Sequence, residues 1–113
     1  MLYKQNRLAK KKDFEAVFQK GQTAKAGFLY IKFKENGLKC SRFGFIVSKK
    51  VSNKATRRNL VKRRLRNAIR LKINEIAAGF DIAFVALPAI LNKKYKEIDE
   101  EIAKTLKSAN LMQ

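Results

Sequence analysis

The chain has no histidine and no tryptophan, and only one cysteine and one proline. Without an imidazole it lacks both the usual general base near neutral pH and a plausible zinc site, and the lone Cys40 cannot close an internal disulfide. Cys40 reads as a small strand or turn residue. Carboxylates are also scarce: 9 Asp and Glu stand against 27 Lys and Arg. General acid–base catalysis usually needs a histidine or a pair of carboxylates with perturbed pKa values, and neither is visible. There is no phosphate-binding glycine loop, zinc-ligand spacing or nucleophile elbow. Catalysis by this chain alone is therefore not expected, and no catalytic or metal-ligating residue is assigned. No apolar run approaches the roughly 18 residues that a membrane span requires. The N-terminal MLYKQNRLAKKK also lacks the apolar core of a signal peptide. The chain is expected in the cytoplasm, with no membrane partner.

What is present is positive charge, +18 over 113 residues, with a pI near 10.4. From Asn36 through Asn74 there is no acid at all, while Lys39, Arg42, Lys49, Lys50, Lys54, Arg57, Arg58, Lys62, Arg63, Arg64, Arg66, Arg70 and Lys72 lie in that window. Such a density of cations on a small folded surface calls for a polyanion, because self-repulsion otherwise destabilises the compact state. A hydrophobic content of 46% is enough for one modest core, which separates the chain from disordered basic tails. The expectation is one basic domain over residues 1–113, with residues 1–12 as an extended basic arm.

The element order follows from periodicity. Asp13 is a candidate cap for FEAVFQK, where Phe14, Val17 and Phe18 share one helical face, and Gly21 suits its end. Phe28 to Phe33 reads as a strand with Phe28, Tyr30 and Lys32 on one side and Leu29, Ile31 and Phe33 on the other. Asn36-Gly37 is a hairpin signal, with Arg42 to Ser48 as the expected pairing strand and Gly44 permitting close backbone approach. A short strand near Thr23 to Ala26 can extend the same sheet. Ser52 to Thr56 is a loop with capping candidates. A long helix is predicted from about Thr56 to Ala77, stopped by Gly79 and buried through Val61, Leu65, Ala68, Ile69 and Ile76. Asp81 to Leu87 is a buried strand closed by Pro88, and Tyr95, Ile98, Ile102 and Leu106 mark an amphipathic helix to about Ser108. A sheet with helices on one face gives the α+β class.

On the long helix Asn59, Lys62, Arg63, Arg66 and Arg70 fall on one stripe beside the apolar face, forming a cationic ridge. A merely solvated helix usually mixes both signs for i,i+4 pairing, and no acid is available here, so nucleic acid is the favoured partner. Arginine dominates, and planar guanidinium groups grip phosphates bidentately. By contrast Glu97, Asp99, Glu100 and Glu101 in the last helix read as a solvated face balanced by lysines. Phe14, Phe18, Phe28 and Tyr30 admit two readings: core packing, or the lining of a groove in which single-stranded bases stack.

SKKVSNKATRRNLVKRRLR resembles the arginine-rich signature of the bacterial ribonuclease P protein component, at Arg58, Asn59, Leu60, Val61, Lys62, Arg63 and Arg66. DFEAVFQKG, FGFIVSKK and the late strand ending at Pro88 extend the likeness over about residues 5 to 108. Two positions depart from the pattern, with Leu60 and Leu87 where basic residues are common. The resemblance implies an αβββαβα sandwich, similar to a domain of a small-subunit ribosomal protein, with a left-handed crossover from the strand ending at Ser48 to that starting at Asp81. It implies a subunit assisting a catalytic RNA that removes the 5′ leader of precursor tRNA, with Mg²⁺ held mainly by the RNA and no protein partner required. Lys49, Lys50, Lys54, Arg57, Arg58, Asn59, Lys62, Arg63, Arg66 and Arg70 are then expected on the catalytic RNA. Phe14, Phe18 and Tyr30, with Phe28 as the competing choice and Lys32 beside them, are expected on the leader. A ribosomal protein, or a cationic protein acting on membranes or DNA, would share the charge but has no reason for the Arg-Asn-x-x-Lys-Arg spacing.

Overall fold

The computed structural model describes residues 3–113. The chain runs through α1 (Lys11–Lys20), β1 (Gln22–Lys25), β2 (Leu29–Glu35), β3 (Arg42–Ile46), α2 (Ala55–Lys72), β4 (Phe80–Ala86) and α3 (Tyr95–Ser108), the αβββαβα order. The strands form a single mixed sheet in the order β1-β2-β4-β3. Strand β2 is antiparallel to both β1 and β4, whereas β3 runs parallel to β4 with Arg42 opposite Asp81 and Ile46 opposite Val85. Parallel neighbours need a long crossover, and α2 supplies it.

This topology corrects the expected hairpin. Strands β2 and β3 do run in opposite directions, but β4 lies between them. The Asn36-Gly37 reversal is real: Gly37 has φ +71°, and the Asn36 Oδ1 accepts the Leu38 N–H at 2.8 Å. Rather than closing a hairpin, it carries the chain past the end of β4. There the Asn36 Nδ2 donates to Asp81 Oδ1 (2.9 Å) and the Asn36 N–H to the Gly79 carbonyl (2.8 Å). An Asx-type turn reports a change of direction, not which strand will be adjacent.

The helices also occupy both faces of the sheet, not one. Leu29, Ile31 and Phe33 of β2 and Ile82, Phe84 and Ala86 of β4 pack with Phe43 against Val61, Leu65, Ala68 and Ile69 of α2 and Ile98, Ile102 and Leu106 of α3. Ala83 alternates to the other side of the pleat, where it meets Leu8 and Val17 with Phe14 and Phe18 at the margin. Helix α1 therefore crosses the opposite face.

Smaller differences follow from local hydrogen bonding. Helix α2 stops at Lys72 and gives way to a 3₁₀ turn, Ile73–Glu75. Ile76 is buried as expected, but beyond that turn and bridged to Met112. Helix α1 starts at Lys11 with Lys10 at its N-cap, and no side chain caps it. Asp13 lies in the first turn and accepts from Arg42 Nη1 at 3.3 Å. The expected arm is only partly extended, and its positions 1 and 2 lie outside the described residues. Lys4–Asn6 form a 3₁₀ turn, and the buried Asn6 donates Nδ2 to the Ser41 carbonyl (2.9 Å). Arg7 bridges to Phe43, and the buried Leu8 donates its N–H to the Phe43 carbonyl (2.9 Å).

Candidate nucleic-acid interface

Four buried residues on α2, Val61, Leu65, Ala68 and Ile69, leave the rest of its circumference to cations. Arg57, Asn59, Arg63, Arg66 and Arg70 are exposed, whereas Arg58 and Lys62 are half-buried. In the loop before the helix, Lys49, Lys50 and Lys54 are all exposed. That loop is held in shape. Val51 is buried beneath it, the Ser52 hydroxyl accepts the Lys54 N–H (3.2 Å), and Arg58 Nη1 donates to the Ser52 carbonyl (2.9 Å). Arg58 thus also fastens the loop to the helix, a role the sequence does not display.

The ion pairs of the described residues lie elsewhere: Lys11 with Glu15, Arg42 with Asp13 and Asp81, and Lys72 with Asp99. None of the loop and ridge cations just named forms an ion pair with a carboxylate among the described residues. Their field is directed outward, as binding a phosphate backbone requires. Leu60 is exposed, as its position on the helix predicts.

The α1 side of the sheet offers a second surface. The registers Thr23↔Lys32 and Lys25↔Tyr30, continued by Lys32↔Ala83 and Tyr30↔Val85, place these side chains on one face. Helix α1 sits close over the middle of it. A Cβ on Gly44 would lie 2.3 Å from Phe14 Cζ, so glycine is what allows the ring to rest on the strand. Beyond the helix a cleft of about 640 Å³ is lined by Thr23, Lys25, Ala26, Tyr30, Lys32 and Leu87. Phe14, Phe18, Tyr30 and Lys32 are all half-buried and on this side. Phe28 is not with them. It is buried in the main core on the α3 side, with the Lys93 ammonium 5.4 Å from its ring centroid. Strand β2 begins only at Leu29, so the period-two alternation that paired Phe28 with Tyr30 does not reach it.

A polar network that sequence reasoning missed fixes α1 over this face. Arg42 donates Nε and Nη2 to the two Asp81 oxygens (2.8 and 2.6 Å) and Nη1 to Asp13 Oδ2 (3.3 Å). Hydrogen bonding to Asp81 raises the Arg42 pKa above its ordinary value despite desolvation, so the guanidinium stays charged. In the sequence, Asp13 is 29 positions from Arg42 and gives only a helix-cap signal. Tyr95, Arg64 and Asn67 were likewise not assigned to a site, yet they line a pocket beside the ridge with Arg63 and Arg66.

Among the described residues there is no group of three or more Cys, Asp or Glu that could hold a metal ion, and no helix long and apolar enough to cross a membrane. The sheet, its two unlike faces and the unneutralised ridge define a small basic α+β domain of the polyanion-binding class. The ribonuclease P family model matches residues 2–110. The ribonuclease P protein component of Alkaliphilus oremlandii is 41% identical over 107 residues, spanning 95% of this chain and 93% of that protein. The RNase P protein of Thermotoga maritima superposes with a TM-score of 0.83 at 31% identity, covering 89% of this chain and 97% of that one. A Staphylococcus aureus RNase P protein mutant with defective mRNA degradation activity gives 0.90 at 26% identity, over 96% and 92%. The chain belongs to the ribonuclease P family, as a protein subunit of that ribonucleoprotein.

Proposed function

We propose that this chain binds the catalytic RNA of ribonuclease P through α2 and the loop before it, and holds the 5′ leader of precursor tRNA on the α1 face of the sheet. Together these contacts promote endonucleolytic removal of the leader. The observation that carries this reading is the ridge of Arg57, Asn59, Arg63, Arg66 and Arg70, exposed and in none of the ion pairs of the described residues. Arginine forks along such a ridge neutralise successive phosphates and fix the register of an RNA duplex without reading its sequence. Phe18, Tyr30 and Lys32 offer a single strand what it needs, ring faces for bases and a cation for the backbone.

The division of labour follows from what the chain lacks. The chain has no histidine, the side chain whose ordinary pKa lies nearest neutral pH. Hydrolysis of the phosphodiester is then the task of the RNA, whose Mg²⁺ would activate water and stabilise the leaving oxygen. The protein screens phosphate repulsion between the RNAs and orients the leader. Reconstitution with a bacterial catalytic RNA at low Mg²⁺ tests this. The chain should raise the rate of 5′ maturation of precursor tRNA, and RNA-free protein should show no specific cleavage. Chelator-sensitive 5′ maturation by the protein alone would overturn the assignment of chemistry to the RNA.

A further inference from the structure

Between α2 and the start of α3 lies a pocket of about 370 Å³ lined by Arg63, Arg64, Arg66, Asn67 and Tyr95. Tyr95 is half-buried and packs against the main core. The Asn67 Nδ2 donates to its hydroxyl (3.3 Å), and Arg70 Nη2 in turn donates to Asn67 Oδ1 (3.0 Å). The ring is therefore anchored from below and oriented by its hydroxyl. Around it stand three arginines with no ion-pair partner among the described residues. A fixed aromatic ring amid uncommitted guanidinium groups is suited to a nucleobase with phosphate on either side, since every base offers a π-face and every linkage an anion.

We infer that this pocket receives one unpaired nucleotide of an RNA, its base against the Tyr95 ring and its phosphates on Arg63, Arg64 and Arg66. The inference rests on the RNA-binding reading above and deepens it: the ridge contacts duplex backbone, while the pocket takes a base out of the stack. Extrusion is easiest at a bulge or loop, so an irregular element of the RNA is the natural donor. The site also extends the interface onto α3, whose own charges are mixed in sign.

Because the chain contains no tryptophan, Tyr95→Trp places a single indole in the pocket. Its fluorescence should be quenched on adding RNA and left unchanged by heparin, a polyanion without bases. Separate titrations with the catalytic RNA and with precursor tRNA identify which one donates the nucleotide. Tyr95→Leu, which keeps an apolar anchor, should weaken binding to the donor RNA by about 5- to 150-fold, the loss of one stacked base. Tyr95→Phe should stay close to wild type. Wild-type affinity in Tyr95→Leu, or equal quenching by heparin, would overturn the pocket while leaving the ridge intact. Failure of the wild-type chain to bind the catalytic RNA would remove the RNA-binding reading itself. Thermal melting of each variant shows whether it is folded, and if Tyr95→Leu is not, the indole titration decides.

Discussion

On the α2/α3 side of the sheet, side chains from Phe28 to Leu111 join in one continuous buried cluster, whereas the α1 side buries Leu8, Val17 and Ala83. The first face is closed by two helices whose apolar stripes interdigitate with the pleat. The second is crossed by a single ten-residue helix, which adds to its apolar contacts one ion pair, from Asp13 to Arg42 of the sheet. Apolar burial is non-directional and holds a fold together. Hydrogen-bonded ion pairs are directional: the bidentate Arg42–Asp81 pair ties β3 to β4, and from there the single Arg42–Asp13 contact reaches α1 without filling the space beside it. A face held by few, directional contacts keeps its neighbouring surface open, and there the half-buried rings and the cleft beside Tyr30 are found.

The comparison is tested most strongly from the packed side. Leu65→Ala removes a fully buried side chain and should cost ~2–5 kcal/mol in chemical denaturation. Val17→Ala, at the smaller cluster, should cost distinctly less. Equal losses would mean the two faces contribute alike. Arg42→Ala leaves the buried Asp81 without its cation, at an expected cost of about 1–3 kcal/mol. Loosening of α1 should also reduce discrimination between precursor and mature tRNA while affinity for the catalytic RNA holds, and a fall in both would show that the network supports the whole fold.

On the open side, Phe18→Ala should weaken precursor relative to mature tRNA by ~1–3 kcal/mol if its ring stacks on a leader base. A melting curve separates this from the ~3–5 kcal/mol typical of a core phenylalanine. A destabilised variant with normal leader discrimination would refute the groove assignment. The smallest effect is expected at Leu60, 38% exposed among cations. Leu60→Arg should tighten RNA binding modestly and steepen its salt dependence by up to about one unit of slope. Weaker binding at unchanged stability would mean that Leu60 makes an apolar contact of its own.

Whatever depended on the period of one element was legible in the chain alone. The spacing of Val61, Leu65, Ala68 and Ile69 placed the buried face of α2, and with it the outward course of Asn59, Arg63, Arg66 and Arg70. The apolar run through Ile82 and Phe84 marked a strand buried on both faces, and the exclusion of acids from Asn36 to Asn74 marked the charged surface. Side-chain direction along a regular helix or strand is set by backbone geometry, which the chain carries locally.

What one element meets is a different quantity. The Asn36-Gly37 turn is encoded in two residues, but the insertion of β4 between β2 and β3 is decided by strand pairing across 45 positions. The amphipathic pattern of FEAVFQK does not say which face of the sheet it will cover. Asp13 as an ion-pair partner, Phe28 as core and Tyr95 beside Arg63 likewise depend on residues distant in the chain. Such contacts form only when loops close and competing surfaces are buried together, so their free energy belongs to the whole arrangement and to no single segment.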